Sequence, residues 1–150
     1  MLSNVMSAAE IIPLLVADVF ELAAAFRRAG DGIAKQVGQT QARWQVLSAA
    51  SRGDKSVPQL ARRLGYARQS VQRVVDLLVS ESVAEYVPNP DHKRSALVRL
   101  TGEGHRQLRR LTAAADQMHR KIARDLGRDD LVTTLRVLRA LRDAMEKEHE

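Results

Sequence analysis

Cysteine is absent from the sequence. That excludes disulfides, cysteine-ligated zinc and any thiol-based redox switch. Aromatic residues make up only 3% of the chain, with one Trp, two Tyr and two Phe. Packing therefore falls to Leu, Val, Ile and Ala, within an apolar share of 45%. No stretch approaches the roughly 20 consecutive apolar residues that cross a bilayer. The start of the chain lacks the basic segment and apolar run of a secretory signal. A soluble, cytoplasmic protein with no membrane partner is the expectation. There is no internal repeat, no low-complexity segment and no linker long enough to separate a pair of domains. A chain of 150 residues suits one domain, or a small module with dimerising extensions.

Positive charge is abundant, and its location says more than its total. The formal net charge is +6. Between Arg52 and Arg110 there are twelve Lys or Arg against six Asp or Glu. The remainder of the chain is balanced, so the whole excess lies in the middle third. Such a region attracts phosphate backbones through counterion release.

Apolar positions Ile11, Leu15, Val19, Leu22 and Phe26 are spaced for one helix face, with Pro13 early in it. Gly30, Gly32 and Gly38 loosen this pattern, and a kink or break is expected near Gly30 to Gly32. Thr40 is placed to cap a second helix reaching about Ser51, with Trp44, Val46 and Leu47 inward. The last helix, opened by Asp129 and Asp130, carries Leu131, Leu135, Leu138, Leu141 and Met145 in a regular seam. A seam of that regularity is what two packed helices need.

The stretch from Ser56 to Thr101 is the most informative. Ser56 and Pro58 open a short helix whose apolar side is Leu60, Ala61 and Leu64, and Gly65 is a fitting stop. A longer helix starts near Arg68, with Val71, Val74, Val75 and Leu78 on its inner side. Two helices joined in this way form a helix-turn-helix pattern, whose second helix lies in the major groove. Its N-terminal residues here are Arg68, Gln69, Ser70, Gln72 and Arg73. Arg binds guanine bidentately and Gln does the same for adenine. Gln69, Gln72, Arg73 and Asp76 fall roughly opposite the apolar stripe. Two strand patterns follow, Val83 to Val87 and Ala96 to Leu100, around Pro88-Asn89-Pro90-Asp91. The tip of this hairpin carries Lys93 and Arg94, suited to an adjacent minor groove. Thr101 caps a long helix that runs to about Leu126, where Gly127 ends it.

The run from Asn89 to Gly104, NPDHKRSALVRLTGEG, resembles the wing of the MarR family of winged-helix transcriptional regulators. The usual form is Asp-Asp-(Lys/Arg)-Arg, a few residues, then an apolar strand ending in Leu-Thr and a Gly. QARWQVL, VPQLARRLG and RQSVQRVVDLLV resemble that family's second, third and recognition helices. The likeness covers about Gln41 to Leu126, and the flanking helices match by pattern only. By that resemblance Arg94 falls on the wing-tip arginine, and Asp91 and Lys93 also match. His92 departs, standing where an acidic residue commonly braces the wing. Ala67 departs as well, standing where Ser or Thr commonly caps the recognition helix. A lost cap of this kind costs about 1 kcal/mol.

The resemblance implies an obligate homodimer with interleaved terminal helices, in agreement with the two apolar seams. Residues 1–38 and 127–150 are then the helical dimerisation region. Residues 39–126 are the winged helix-turn-helix lobe with a long connecting helix. It further implies a small aromatic or phenolic effector between the two, where Trp44 would lie. Core packing is the other role open to Trp44, and Arg43 beside it is expected to point elsewhere. Catalytic and metal chemistry find little support. His92, His105, His119 and His149 include no pair at helical ligand spacing, and Ser70 has no nearby His and acid. Gly102-Glu103-Gly104 sits at a helix start and is not a phosphate loop. No cofactor is expected.

The expected fold is mainly α with a small β-hairpin wing. The expected function is a sequence-specific repressor, released by a ligand. It would act as a homodimer on pseudo-palindromic double-stranded DNA, with half-sites about one helical turn apart. It is not expected to be an enzyme. A non-specific architectural or RNA-binding protein, and a winged helix that binds only protein, are the alternatives.

Overall fold

Ser7 opens the first helix in the computed structural model, which describes residues 6–148. Its hydroxyl accepts from the Glu10 amide, and the Glu10 carboxylate returns to the Ser7 amide, so two orphan donors are satisfied reciprocally. Helix α1 (Ala8–Gln36) then runs for 29 residues without interruption. The break expected near Gly30 to Gly32 does not occur. Gly30 is buried, and a Cβ there would lie 2.9 Å from Cγ of Gln41. The Gln41 side chain occupies the space that a larger residue would need. Tertiary packing thus outweighs the weak helix propensity of glycine.

Thr40 caps α2 (Gln41–Ala50) through its hydroxyl. A two-residue strand, β1 (Lys55–Ser56), leads into α3 (Val57–Leu64) and then α4 (Arg68–Ser80). Strands β2 (Ala84–Val87) and β3 (Leu97–Leu100) form the hairpin, followed by α5 (Gly102–Leu126) and α6 (Arg128–Lys147). The sheet is antiparallel with order β1-β3-β2. Ala84 faces Leu100 and Val87 faces Leu97 across the hairpin, while Lys55 and Ser56 pair with Val98 and Leu97. Nothing in the sequence marks β1, because two residues are too few to display an alternation.

Val46 and Leu47 of α2, Leu60 of α3, and Val71, Val75 and Leu78 of α4 close one core with Val83, Val98 and Leu111. These are β-branched and aliphatic side chains, as the shortage of aromatics requires. Gly104 fixes how closely α5 approaches this core. A Cβ at that position would collide with the Val83 carbonyl oxygen. The same oxygen accepts from the Thr101 amide at 3.1 Å and the Thr101 hydroxyl at 3.0 Å. The Thr101 hydroxyl also accepts from the Gly104 amide, so one residue caps α5 and ties its start to Val83, just before β2.

The chain forms two compact units that divide within α5, between Ala114 and Ala115. In the first, α1 leaves Ile11, Val19, Leu22 and Phe26 of its apolar face exposed, with Leu15 half-buried. In the second, α6 buries none of its residues. Leu135, Leu138 and Met145 are exposed there. Of the expected dimerisation region, residues 1–5 and 149–150 lie outside the described residues, and His149 with them. No described helix is long and apolar enough to cross a membrane.

Candidate nucleic-acid interface

The helix-turn-helix is built by local rules. Ser56 and Gln59 form a reciprocal cap at the start of α3, with Pro58 in its first turn. Gly65 ends the helix in the left-handed region, at φ 67°. The Tyr66 amide returns to the Ala61 carbonyl, and its phenol donates to Oε1 of Gln41 at 3.2 Å. The turn is thereby fastened to α2. Ala67 begins α4 with no side-chain cap, so this expected departure has its expected consequence.

Arg68, Gln69, Ser70 and Arg73 are exposed at the N-terminal end of α4. Its opposite side, with Val71, Val75 and Leu78, is buried. Gln72 does not stand free with the other four. Its Nε2 donates to Oδ1 of Asp76 at 2.9 Å and to the Tyr86 phenol oxygen at 2.8 Å. Tyr86 donates to the same Asp76 oxygen at 2.7 Å. Burial and the neighbouring Asp76 carboxylate push the Tyr86 phenol up to about 12. The bidentate adenine contact expected of Gln72 therefore meets an amide whose donors are already engaged.

Lys93 and Arg94 are exposed at the hairpin tip, beside exposed Asp91 and His92. Where His92 replaces an acidic brace, Asn89 holds the turn. Its Nδ2 donates to the Ser95 carbonyl at 2.8 Å, and its Oδ1 accepts from the Asp91 amide at 3.0 Å. At the base of the wing, Arg99 on β3 pairs with Asp54 at 3.0 Å, just before β1. Arg43 of α2 pairs with Glu81 at the end of α4, bonding through Nη1 at 2.9 Å. The Arg43 guanidinium holds the Glu81 carboxyl below its usual range. Trp44 is partly buried and packs against the core. Among the described residues, no three His, Asp or Glu gather as a metal site would require.

The profile of the MarR family matches residues 37–95, the span that contains α2, the helix-turn-helix and most of the wing. The chain belongs to the MarR family. Uncharacterized proteins of Mycobacterium tuberculosis and Mycobacterium bovis are each 45% identical to it over 137 residues, covering 91% of this chain and 96% of theirs. Among solved structures, a MarR/EmrR family transcriptional regulator of an Acinetobacter species matches with a TM-score of 0.73 at 19% identity, over 91% of this chain and 98% of that one. A mutant MarR from E. coli, complexed with operator DNA, matches with a TM-score of 0.65 at 22% identity, over 91% and 99% of the two chains. These likenesses support the MarR winged-helix fold.

The signals for α3, α4 and the wing were all legible as local patterns. The contacts of Tyr86, Asn89 and Asp54 lie outside those patterns. Pro88-Asn89-Pro90-Asp91 was readable as a turn, and an Asn in such a turn is a natural bridge to the backbone. Tyr86 carried no such signal, since its partners lie on another element.

Proposed function

We propose that this MarR-family chain is a sequence-specific DNA-binding repressor that acts as a homodimer and is released by a small ligand. One observation carries the reading. The exposed N-terminal end of α4 presents Arg68, Gln69, Ser70 and Arg73 on the same compact lobe as a basic wing tip with Lys93 and Arg94. Arg and Gln supply the bidentate vocabulary for base edges, and Lys93 supplies salt-dependent phosphate attraction. That a MarR of this fold was crystallised with operator DNA supports the same role here.

The exposed apolar faces of α1 and α6 support the dimer, with residues 1–38 and 127–150 as its dimerisation region and residues 39–126 as the reading lobe. Phe20 on α1 is 71% exposed, which an isolated protomer gains nothing from. A two-fold dimer would read half-sites about one helical turn apart. An aromatic or phenolic effector would act by favouring one spacing of the two recognition helices over the other. Trp44 is the residue we assign to its neighbourhood. The location is cytoplasmic, and the role is binding without catalysis.

Selection of duplexes from a random pool, followed by competition at moderate salt, tests this reading. An enriched duplex should outcompete random DNA by at least about a thousandfold. Equal competition would point to the non-specific architectural protein instead. Charge reversal at Arg73 and Arg94 should weaken binding to the enriched duplex, and unchanged affinity would refute their role.

A further inference from the structure

Gln72 sits on the recognition face of α4, yet its amide nitrogen is already committed to Asp76 and Tyr86. The polarity of this triangle follows from the groups present. An ionised carboxylate only accepts, so the phenol and the amide both donate to Asp76. The phenol has one proton, and it is directed at Asp76. Toward Gln72 the phenol oxygen therefore accepts. Turning the amide over would set its Oε1 against a carboxylate and a phenol oxygen with no proton between them. Both N–H protons of Gln72 are engaged, and Oε1 alone remains. The raised affinity of Tyr86 for its proton agrees with this arrangement, since the neutral phenol is the form the triangle needs.

We propose that Gln72 reads duplex DNA solely as a hydrogen-bond acceptor, taking an N–H from the exocyclic amino group of adenine or cytosine. Tyr86 and Asp76 are its positioning residues. This rests on the regulator reading above. A free glutamine pairs with both N6 and N7 of adenine and so singles out that base. An acceptor-only glutamine does not sense N7. Adenine and cytosine both offer it a major-groove amino group, whereas guanine and thymine present acceptors that repel it. Degenerate reading of A or C at one operator position is the consequence.

The test uses the full chain and a duplex enriched from a random pool. The position read by Gln72 is the one whose discrimination the Gln72→Ala variant relaxes. With adenine placed there, 7-deazaadenine removes N7 alone, and unsubstituted purine removes the amino group alone. Wild-type protein should bind the 7-deazaadenine duplex as tightly as the parent and the purine duplex about tenfold more weakly. It should bind adenine and cytosine at that position within about threefold of each other. Tyr86→Phe keeps the ring and frees one N–H. That variant should become sensitive to 7-deazaadenine and prefer adenine over cytosine, with a single cooperative thermal unfolding transition as the check on its fold. A tenfold loss on 7-deazaadenine with wild-type protein overturns the inference and leaves the regulator standing. So does Gln72→Ala with every position's discrimination intact. A pool that yields no enriched duplex removes the regulator reading, and the inference with it.

Discussion

Tyr86 is where a single side chain reports on the site. An unfolded tyrosine titrates near pH 10. In the folded protein, burial and Asp76 push Tyr86 up to about 12. Its folded value lies above the unfolded one. The stabilisation it brings is therefore complete below pH 10 and is lost as pH rises from 10 toward 12. Phenolate absorbance should show one tyrosine ionising near 12, and Tyr86→Phe should remove that step. A Tyr86 that titrates near 10 would contradict the triangle with Asp76 and Gln72. Glu81 carries the opposite sign, because Arg43 holds its carboxyl low. Its contribution is present above the ordinary carboxylate range and is lost as pH falls through the lowered value. The acid-unfolding difference between wild type and Glu81→Gln should accordingly close at low pH. Gly104 has no room for a methyl group against the Val83 carbonyl. Gly104→Ala should lower stability by at least about 2 kcal/mol, read as a fall in denaturant midpoint. A midpoint like that of wild type would mean that α5 does not approach β2 so closely.

Helices and strands here owe their ends to short side chains. Ser7, Thr40 and Ser56 each accept from a backbone amide at a helix start. Helix α4, like α6 with Gly127 at its start, is an exception, since Ala67 offers no oxygen. Its backbone at that position is already extended, at φ −61° and ψ 136°, as a cap requires. Ala67→Ser should therefore raise stability by about 1 kcal/mol, measured by denaturant unfolding. No gain would indicate that the first turn of α4 is held by other contacts. The wing is fastened in two places of different kind. Asn89 ties its tip to Ser95, and Arg99 ties its base to Asp54. The Asn89 ties run between backbone and amide, so the tip keeps its bracing with His92 in the acidic position.

At the scale of the molecule, the two exposed apolar faces set the prediction. Ile11, Val19, Leu22 and Phe26 on α1, and Leu135, Leu138 and Met145 on α6, remain open to water in a single chain. Sedimentation at micromolar concentration should give twice the 16.7 kDa chain mass. A stable species of 16.7 kDa would sink the dimer. The net charge of +6 has its own consequence, because it is concentrated between Arg52 and Arg110. DNA affinity should fall steeply as salt rises, and charge removal at Lys93 should flatten that slope by about one phosphate contact.

The sequence by itself determined the elements whose causes are local. The caps at Thr40 and Ser56, the left-handed stop at Gly65, the inner stripe of α4 and the turn at Asn89 all act within about four residues. Such causes can be read along a chain. Tertiary structure alone decided what depends on partners distant in sequence. Gly30 continues a helix because Gln41 fills the space beside it. Lys55 and Ser56 become a strand because β3 lies next to them. Gln72 is left with only its acceptor because Tyr86, on another element, accepts from its second N–H. In each case the residue's own preference is weak, and the contact that resolves it exists only once the chain has folded.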